Sequence, residues 1–199
     1  MKYKKLRDVA KVIALATPYG TTAFRMASSL KKSQEEAAQI IRDYFDNYPS
    51  VERMMLDSHA QAKASGVVYN LYGRPRRMPK ALDIVKTYGN AKHEDLPYEM
   101  RNILNLSMNH RVQSTGASIM NRAAIAASAS FKALAADDSR WLEVTIVMQV
   151  HDELILEGPE ALAEDMVIVL KDAMENSVTL PGVALVAEPK IAYNLADLK

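Results

Sequence analysis

The sequence predicts an α+β fold, with helices first and then a small antiparallel sheet accompanied by a helix. Three observations carry this. Through most of residues 4–136, apolar side chains recur at three- and four-residue spacing, the signature of one helix face. After Trp141 the period changes to two: Val144, Ile146, Met148 and Val150 alternate with Thr145, Val147 and Gln149. The two kinds of segment are grouped rather than interleaved, which argues against a parallel sheet built from alternating strands and helices.

In chain order, Leu6, Val9, Ala10, Ile13 and Ala14 predict a helix over 4–16. Thr17-Pro18-Tyr19-Gly20 ends it, because proline disfavours helical geometry in the residue before it and glycine suits a helix exit. A short helix over Ala23–Leu30 follows. Ser33-Gln34-Glu35-Glu36 is a capping-box start, with Glu36 three residues after Ser33. That helix runs to about Asn47 and stops before Pro49. A further helix over Ser50–Ser65 ends at Gly66. Val67–Gly73 reads as a strand and turn that opens into Arg74-Pro75-Arg76-Arg77-Met78-Pro79. Residues 80–95 are polar and read as a loop. A long helix is expected over about Pro97–Ala136, with a break near Gly116. Val144–Val150 and Leu154–Glu157 are two strands, so His151-Asp152-Glu153 falls near a hairpin tip. Pro159–Asn176 is a helix, and Val183–Ile191 reads as a last strand.

The chain has 199 residues, 49% of them hydrophobic and 25% charged, and no cysteine. This is globular composition, and it excludes disordered, collagen-like, disulfide-based and thiolate chemistry. No apolar run approaches the 18 or so residues of a membrane span, so no membrane association is expected. Met1-Lys2-Tyr3-Lys4-Lys5 leads into an amphipathic stretch rather than an apolar one, so a cytoplasmic location is expected. The net charge is only +1, but it is unevenly spread. Residues 1–136 hold 21 Lys and Arg against 11 Asp and Glu, a net +10, and residues 137–199 hold 4 against 13, a net −9. A basic part followed by an acidic part suits a polyanion partner beside a cation site, or two solvated surfaces that happen to differ.

Three groups of residues carry chemistry. Arg7, Lys11, Leu15 and Tyr19 recur every four residues, which puts them on one helix face. Arg binds phosphate bidentately and Lys as a point charge, so the pair makes a grip for a phosphate chain. The plainer reading is a solvated basic face. The second group is Gln149-Val150-His151-Asp152-Glu153. Its adjacent carboxylates suit Mg²⁺ or Mn²⁺, whose preferred ligands are hard oxygens, or they form an ordinary acidic surface turn. The third is Asn109 and Gln113, which share a helix face beside the small residues Ser114-Thr115-Gly116-Ala117-Ser118. Side-chain amides can donate to the minor-groove acceptors of base pairs, or serve as buried or capping groups.

Taken together, the order and spacing of these motifs closely resemble family A DNA polymerases, the bacterial DNA polymerase I type. Arg7-x3-Lys11-x7-Tyr19-Gly20 resembles the family's fingers-helix motif, and Gly73-Arg74-Pro75-Arg76-Arg77 the strand-turn after the fingers. Asn109-His110-Arg111-Val112-Gln113-Ser114-Thr115 resembles the helix that touches the primer-template minor groove. Gln149-Val150-His151-Asp152-Glu153-Leu154 is similar, almost letter for letter, to the catalytic hairpin of the palm. There are departures. Leu15 stands where the family usually has an aromatic residue, Ser114 where it has glycine, and Asn105 where it has an arginine, with Arg101 one turn further back.

The resemblance implies fingers helices over 1–65, a strand-turn and connecting loop over 66–96, and a C-terminal palm with its catalytic hairpin over 97–199. It implies a DNA-directed DNA polymerase that transfers a nucleotide from a dNTP to a primer 3′ end. Asp152 and Glu153 would serve two Mg²⁺ ions. Arg7, Lys11, Leu15 and Tyr19 would bind the dNTP, with Lys11 also acting on the leaving pyrophosphate. Asn109, Gln113 and His151 would meet the primer-template, and Arg74, Arg76 and Arg77 its phosphates. The family's first palm aspartate, thumb and exonuclease are not in this sequence, and Lys190–Lys199 resembles the family's natural end. The expectation is therefore a split, phage-like subunit in the host cytoplasm, or a truncated form. It would be inactive alone and share its metals with a partner polypeptide that carries the missing aspartate and thumb. Two alternatives compete: a non-catalytic DNA-binding or assembly subunit derived from such a polymerase, and an unrelated metal-dependent hydrolase built on His151-Asp152-Glu153. The hydrolase leaves the Arg7-to-Tyr19 stripe unexplained.

Overall fold

The structure is a computed structural model that describes residues 2–198. It is α+β, mostly helical, with two separate two-stranded antiparallel sheets. The chain divides into two compact units, Met1–Thr115 and Gly116–Lys199. Among the described residues, no helix is long and apolar enough to cross a membrane.

The first unit opens with α1 (Lys2–Ala16), α2 (Ala23–Leu30), α3 (Gln34–Asn47) and α4 (Pro49–Ser65). The capping box at α3 forms as its sequence dictates: the Ser33 hydroxyl accepts from the Glu36 N–H at 3.1 Å, and the Glu36 carboxylate accepts from the Ser33 N–H at 3.0 Å. Met26, Ala27 and Ala37 form a small buried core, with Val12, Ile13 and Ile41 against it. Then β1 (Val67–Tyr69) pairs with β2 (Pro75–Arg77), in the register Val67↔Arg77, Val68↔Arg76 and Tyr69↔Pro75. The arginine-rich segment is thus the return strand of a hairpin.

Residues 80–95 correct the sequence reading. They are not a loop: Lys80–Tyr88 is a helix, α5, followed by a 3-10 turn at His93–Asp95. Its buried face is narrow, only Ala81 and Ile84, which join Ala62, Val68, Met78, Leu96 and Leu104 in the second core of this unit. Gly89 stops the helix at φ 58°, with its N–H donating to the Val85 carbonyl at 2.9 Å. The polar composition of α5 is that of a surface helix, whose few apolar residues suffice once a core lies beneath them.

The long helix α6 spans Tyr98–Leu134 and passes through Gly116 without the expected break. In the second unit its later residues Ala127 and Phe131 pack with Trp141, Val144, Leu162 and Met166, and the Phe131 and Trp141 rings stack at 5.8 Å. The strands β3 (Thr145–Val150) and β4 (Glu153–Glu157) form the expected hairpin, and α7 (Ala163–Asn176) follows. The register slips between Ile146 and Met148. Val147, Met148, Gln149 and Val150 are all exposed, so the strict alternation read from the sequence does not mark a buried face in this half of the strand.

The expected last strand over Val183–Ile191 does not form. Only an isolated bridge between Leu180 and Val183 is present, and Val183, Val186 and Ile191 are exposed. A β-rich pattern makes a strand only where another strand offers its backbone groups, and among the described residues none does so here.

Candidate functional site

Residues four apart on α1 drift by about 40° per step, because four residues overshoot a 3.6-residue turn. Arg7, Lys11 and Leu15 therefore follow one side of the helix, and all three are exposed, Leu15 at 67%. Among the described residues, no ion pair engages Arg7 or Lys11. Tyr19 departs from the spacing argument. The α-helix stops at Ala16, and Tyr19 ends a 3-10 turn, Thr17–Tyr19, that exits through Gly20 at φ 74°. Its direction is set by that turn rather than by the helix period.

The turn opens on a cavity of about 410 Å³ whose lining includes Tyr19, Gly20, Arg25, Tyr98, Asn105 and Asn109. Two residues singled out by sequence, Tyr19 and Asn109, are thus brought together. Arg7, Lys11, Leu15 and Gln113 are not among those that line it. Gln113 is exposed one turn beyond Asn109. Arg25 gives the wall a fixed cation: its Nη2 donates to the Tyr98 hydroxyl at 3.2 Å, and its guanidinium lies 5.4 Å from that ring's centroid. Sequence reasoning missed Arg25 and Tyr98, which are 73 residues apart and belong to no local pattern.

Gly20 shows how tightly the turn approaches α6. A Cβ at this position would come within 3 Å of the Asn105 amide. The positive φ favours glycine here, and a side chain would also displace the Asn105 amide.

The arginine hairpin is stapled to α6 by a residue the sequence reading passed over. The Asn70 Oδ1 accepts from the N–H groups of Tyr72 and Arg74, both at 2.9 Å. Its Nδ2 donates to the Ser114 carbonyl and hydroxyl, both at 3.0 Å. Next to it, the Leu71 N–H donates to the Thr115 hydroxyl at 3.1 Å, and the buried His110 Nε2 lies 3.1 Å from the Arg74 carbonyl. Arg74, Arg76 and Arg77 are exposed on this hairpin. An Asn three residues before Gly73 is a turn signal that marks such a residue in sequence.

In the second unit, the β3–β4 register pairs Val150 with Glu153, so His151 and Asp152 are the two residues of a tight hairpin turn. His151 has φ 53°, uncommon for a residue with a Cβ. His151, Asp152 and Glu153 are all exposed, and no ion pair among the described residues engages either carboxylate. Hard oxygen donors without a cationic partner fit a divalent cation. The set is partial, however: among the described residues, no group of three or more His, Cys, Asp and Glu could hold a metal ion.

The exposed cations of α1 and the amide-bearing face of α6 lie in the first unit, and the acidic hairpin in the second. The family model for DNA polymerase family A matches residues 2–197, and the chain belongs to that family. Among curated relatives it is 34% identical over 175 residues to DNA polymerase I of Treponema pallidum (strain Nichols), covering 88% of this chain and 16% of the relative. It is 31% identical over 195 residues to DNA polymerase I of Caldicellulosiruptor bescii, covering 98% of this chain and 21% of the relative. The chain thus spans about a fifth or less of the length of these relatives. Among solved structures it is similar to the POL domain of Pol1 from M. smegmatis in complex with DNA primer-template and dNTP. That match has a TM-score of 0.73 and 27% identity, and covers 91% of this chain and 29% of that one.

Proposed function

We propose that this chain is the nucleotide-gripping and acidic-hairpin portion of a DNA-directed DNA polymerase, acting in template-directed transfer of a nucleotide from a dNTP to a primer 3′ end. The observation that supports this best is the stripe on α1, where Arg7 and Lys11 are exposed and engaged in no ion pair among the described residues. Two unpaired cations one turn apart suit a triphosphate, which carries several negative charges in a row. Lys11 also provides a proton donor and positive charge for the leaving pyrophosphate. Leu15 and Tyr19 face the sugar and base. Asn109 and Gln113 donate to base-pair acceptors in the minor groove, His151 meets the primer end, and Arg74, Arg76 and Arg77 hold backbone phosphates.

Asp152, with Glu153 beside it, holds divalent cations, Mg²⁺ by the hardness of the donors. When bound, two such ions stabilise charge on the attacking and departing oxygens. The further carboxylate this needs comes from polypeptide outside these 199 residues, together with the surface that clamps the duplex.

Nucleotide binding tests the stripe without requiring turnover. The protein should bind a fluorescent dNTP in a salt-sensitive way. Arg7→Ala and Lys11→Ala should each weaken binding roughly tenfold, the loss of one charge-assisted contact. Unchanged binding in both variants would remove α1 from the nucleotide site.

A further inference from the structure

The Asn105 amide that lies against Gly20 is not held by its own helix. Its Oδ1 is 2.9 Å from the Nε2 of His93, in the 3-10 turn after α5. An amide oxygen only accepts, so this contact requires the tautomer with hydrogen on Nε2. The His93 ring in turn stacks on that of His59 from α4, with centroids 5.0 Å apart and planes within 15°. His59 is 4% exposed, and its Nε2 has no hydrogen-bond partner. A buried imidazole nitrogen left unpaired is costly and calls for a reason. With one lone pair of Oδ1 taken by His93, Asn105 keeps both Nδ2 donors unused beside the cavity it lines.

We propose that His93 is a positioning residue: its Nε2–H fixes the Asn105 amide against Gly20, with the Nδ2 donors turned to the cavity, and the buried His59 ring holds His93 in place. That the cavity serves a base edge rests on the function proposed above, whereas the relay itself does not. The relay works with both rings neutral. Burial lowers the pKa of His59 to about 4, helped by His93 and by Lys63 one turn away on α4. Burial also lowers that of His93; the Asn105 bond, the Arg101 backbone and Glu94 oppose this, and the Arg101 charge adds to it. Protonating His59 puts a cation against the His93 ring and disfavours the stack, whereas protonating His93 keeps its Nε2–H on Asn105 and changes the charge beside that amide.

The test follows the Asn105 side-chain amide of the ¹⁵N-labelled protein by NMR, assigned by its loss in Asn105→Ala. His93→Phe keeps a flat ring on His59 but has no donor, and should move the Asn105 resonances and speed their hydrogen exchange. His93→Gln, which offers an amide donor, should restore them. In the unmodified protein the same resonances should shift in step with ring protonation as the pH falls. Asn105 resonances that stay in place in folded His93→Phe, or that ignore the titration of both rings, would overturn the relay. With the rest of the polymerase supplied, His93→Phe should also raise the dNTP KM roughly threefold to tenfold, the loss of one modest hydrogen bond, with kcat nearly unchanged and Gln restoring it. If no form of the protein extends a primer, the proposed function fails, and the NMR results alone decide the relay.

Discussion

Asn70 Nδ2 donates to both the carbonyl and the hydroxyl of Ser114, each at 3.0 Å, and so pins the arginine hairpin to α6. The Ser114 hydroxyl gives Asn70 a second acceptor beside the carbonyl. Asn70→Ala would remove these bonds and also leave the Tyr72 and Arg74 N–H groups without their acceptor. Unsatisfied buried groups cost about 1–3 kcal/mol each, so a loss of roughly 2–4 kcal/mol is expected in denaturant unfolding. Ser114→Gly keeps the carbonyl acceptor and should cost about 1 kcal/mol or less, near the net worth of one hydrogen bond.

Arg76 and Arg77 are exposed on the strand that this staple holds. If they meet phosphates, replacing both by glutamine should weaken DNA binding equally for all sequences. It should also flatten the dependence of log affinity on log salt by roughly two, at about 0.9 per phosphate contact. Titrations at several salt concentrations measure the slope, and an unchanged slope would place the DNA backbone elsewhere.

His59 predicts a pH dependence of stability. Its folded pKa of about 4 lies below the ordinary imidazole value of 6.5 because of burial first and His93 second. Between these values the unfolded chain takes up a proton that the folded one refuses. The folded state therefore keeps its full stability above about pH 6.5 and loses it progressively toward pH 4, by on the order of 3 kcal/mol at 1.36 per unit. His59→Phe fills the same space without titrating. Urea unfolding of the two proteins from pH 7 to pH 4 should give a visibly shallower fall for the variant, and parallel curves would show that His59 is not the source.

Leu15 is 67% exposed on α1, so it is not a core residue that a larger side chain would overpack. Leu15→Tyr should leave stability within about 0.5 kcal/mol, as is usual at exposed positions. A flat ring adds a stacking face worth up to roughly 1–3 kcal/mol per base. It should lower the apparent KM for dNTP and alter the choice between deoxy- and dideoxynucleotides in single-nucleotide incorporation. Unchanged sugar discrimination would take Leu15 out of the nucleotide site.

The sequence was most legible where a local rule suffices. The Ser33–Glu36 capping box, the Gly20 exit and the tight turn at His151-Asp152 each follow from a few neighbouring residues. It was least legible where a partner decides the outcome. Ala81 and Ile84 make α5 a helix only because Ala62, Val68 and Leu104 lie beneath them, and Val183–Ile191 alternates like a strand but has no strand to pair with. The site divides in the same way. Arg7, Lys11, Tyr19, Asn109 and Asp152 stand in recognisable motifs, whereas Asn70, Arg25 and His93 act through contacts 44, 73 and 12 residues away, which no spacing rule reaches.

The proposed function rests on Asp152 as a metal-binding carboxylate whose complementary carboxylate lies outside these residues. Primer extension in Mg²⁺ tests it most directly, using this chain joined to or mixed with polypeptide that carries that carboxylate and the duplex-clamping surface. The assembled protein should extend a primer, and this chain alone should not. Asp152→Ala should abolish extension while leaving DNA affinity within about twofold, because the affinity comes mainly from cations elsewhere. Extension by Asp152→Ala at a substantial fraction of the unmodified rate, or robust extension by these 199 residues alone, would contradict the assignment.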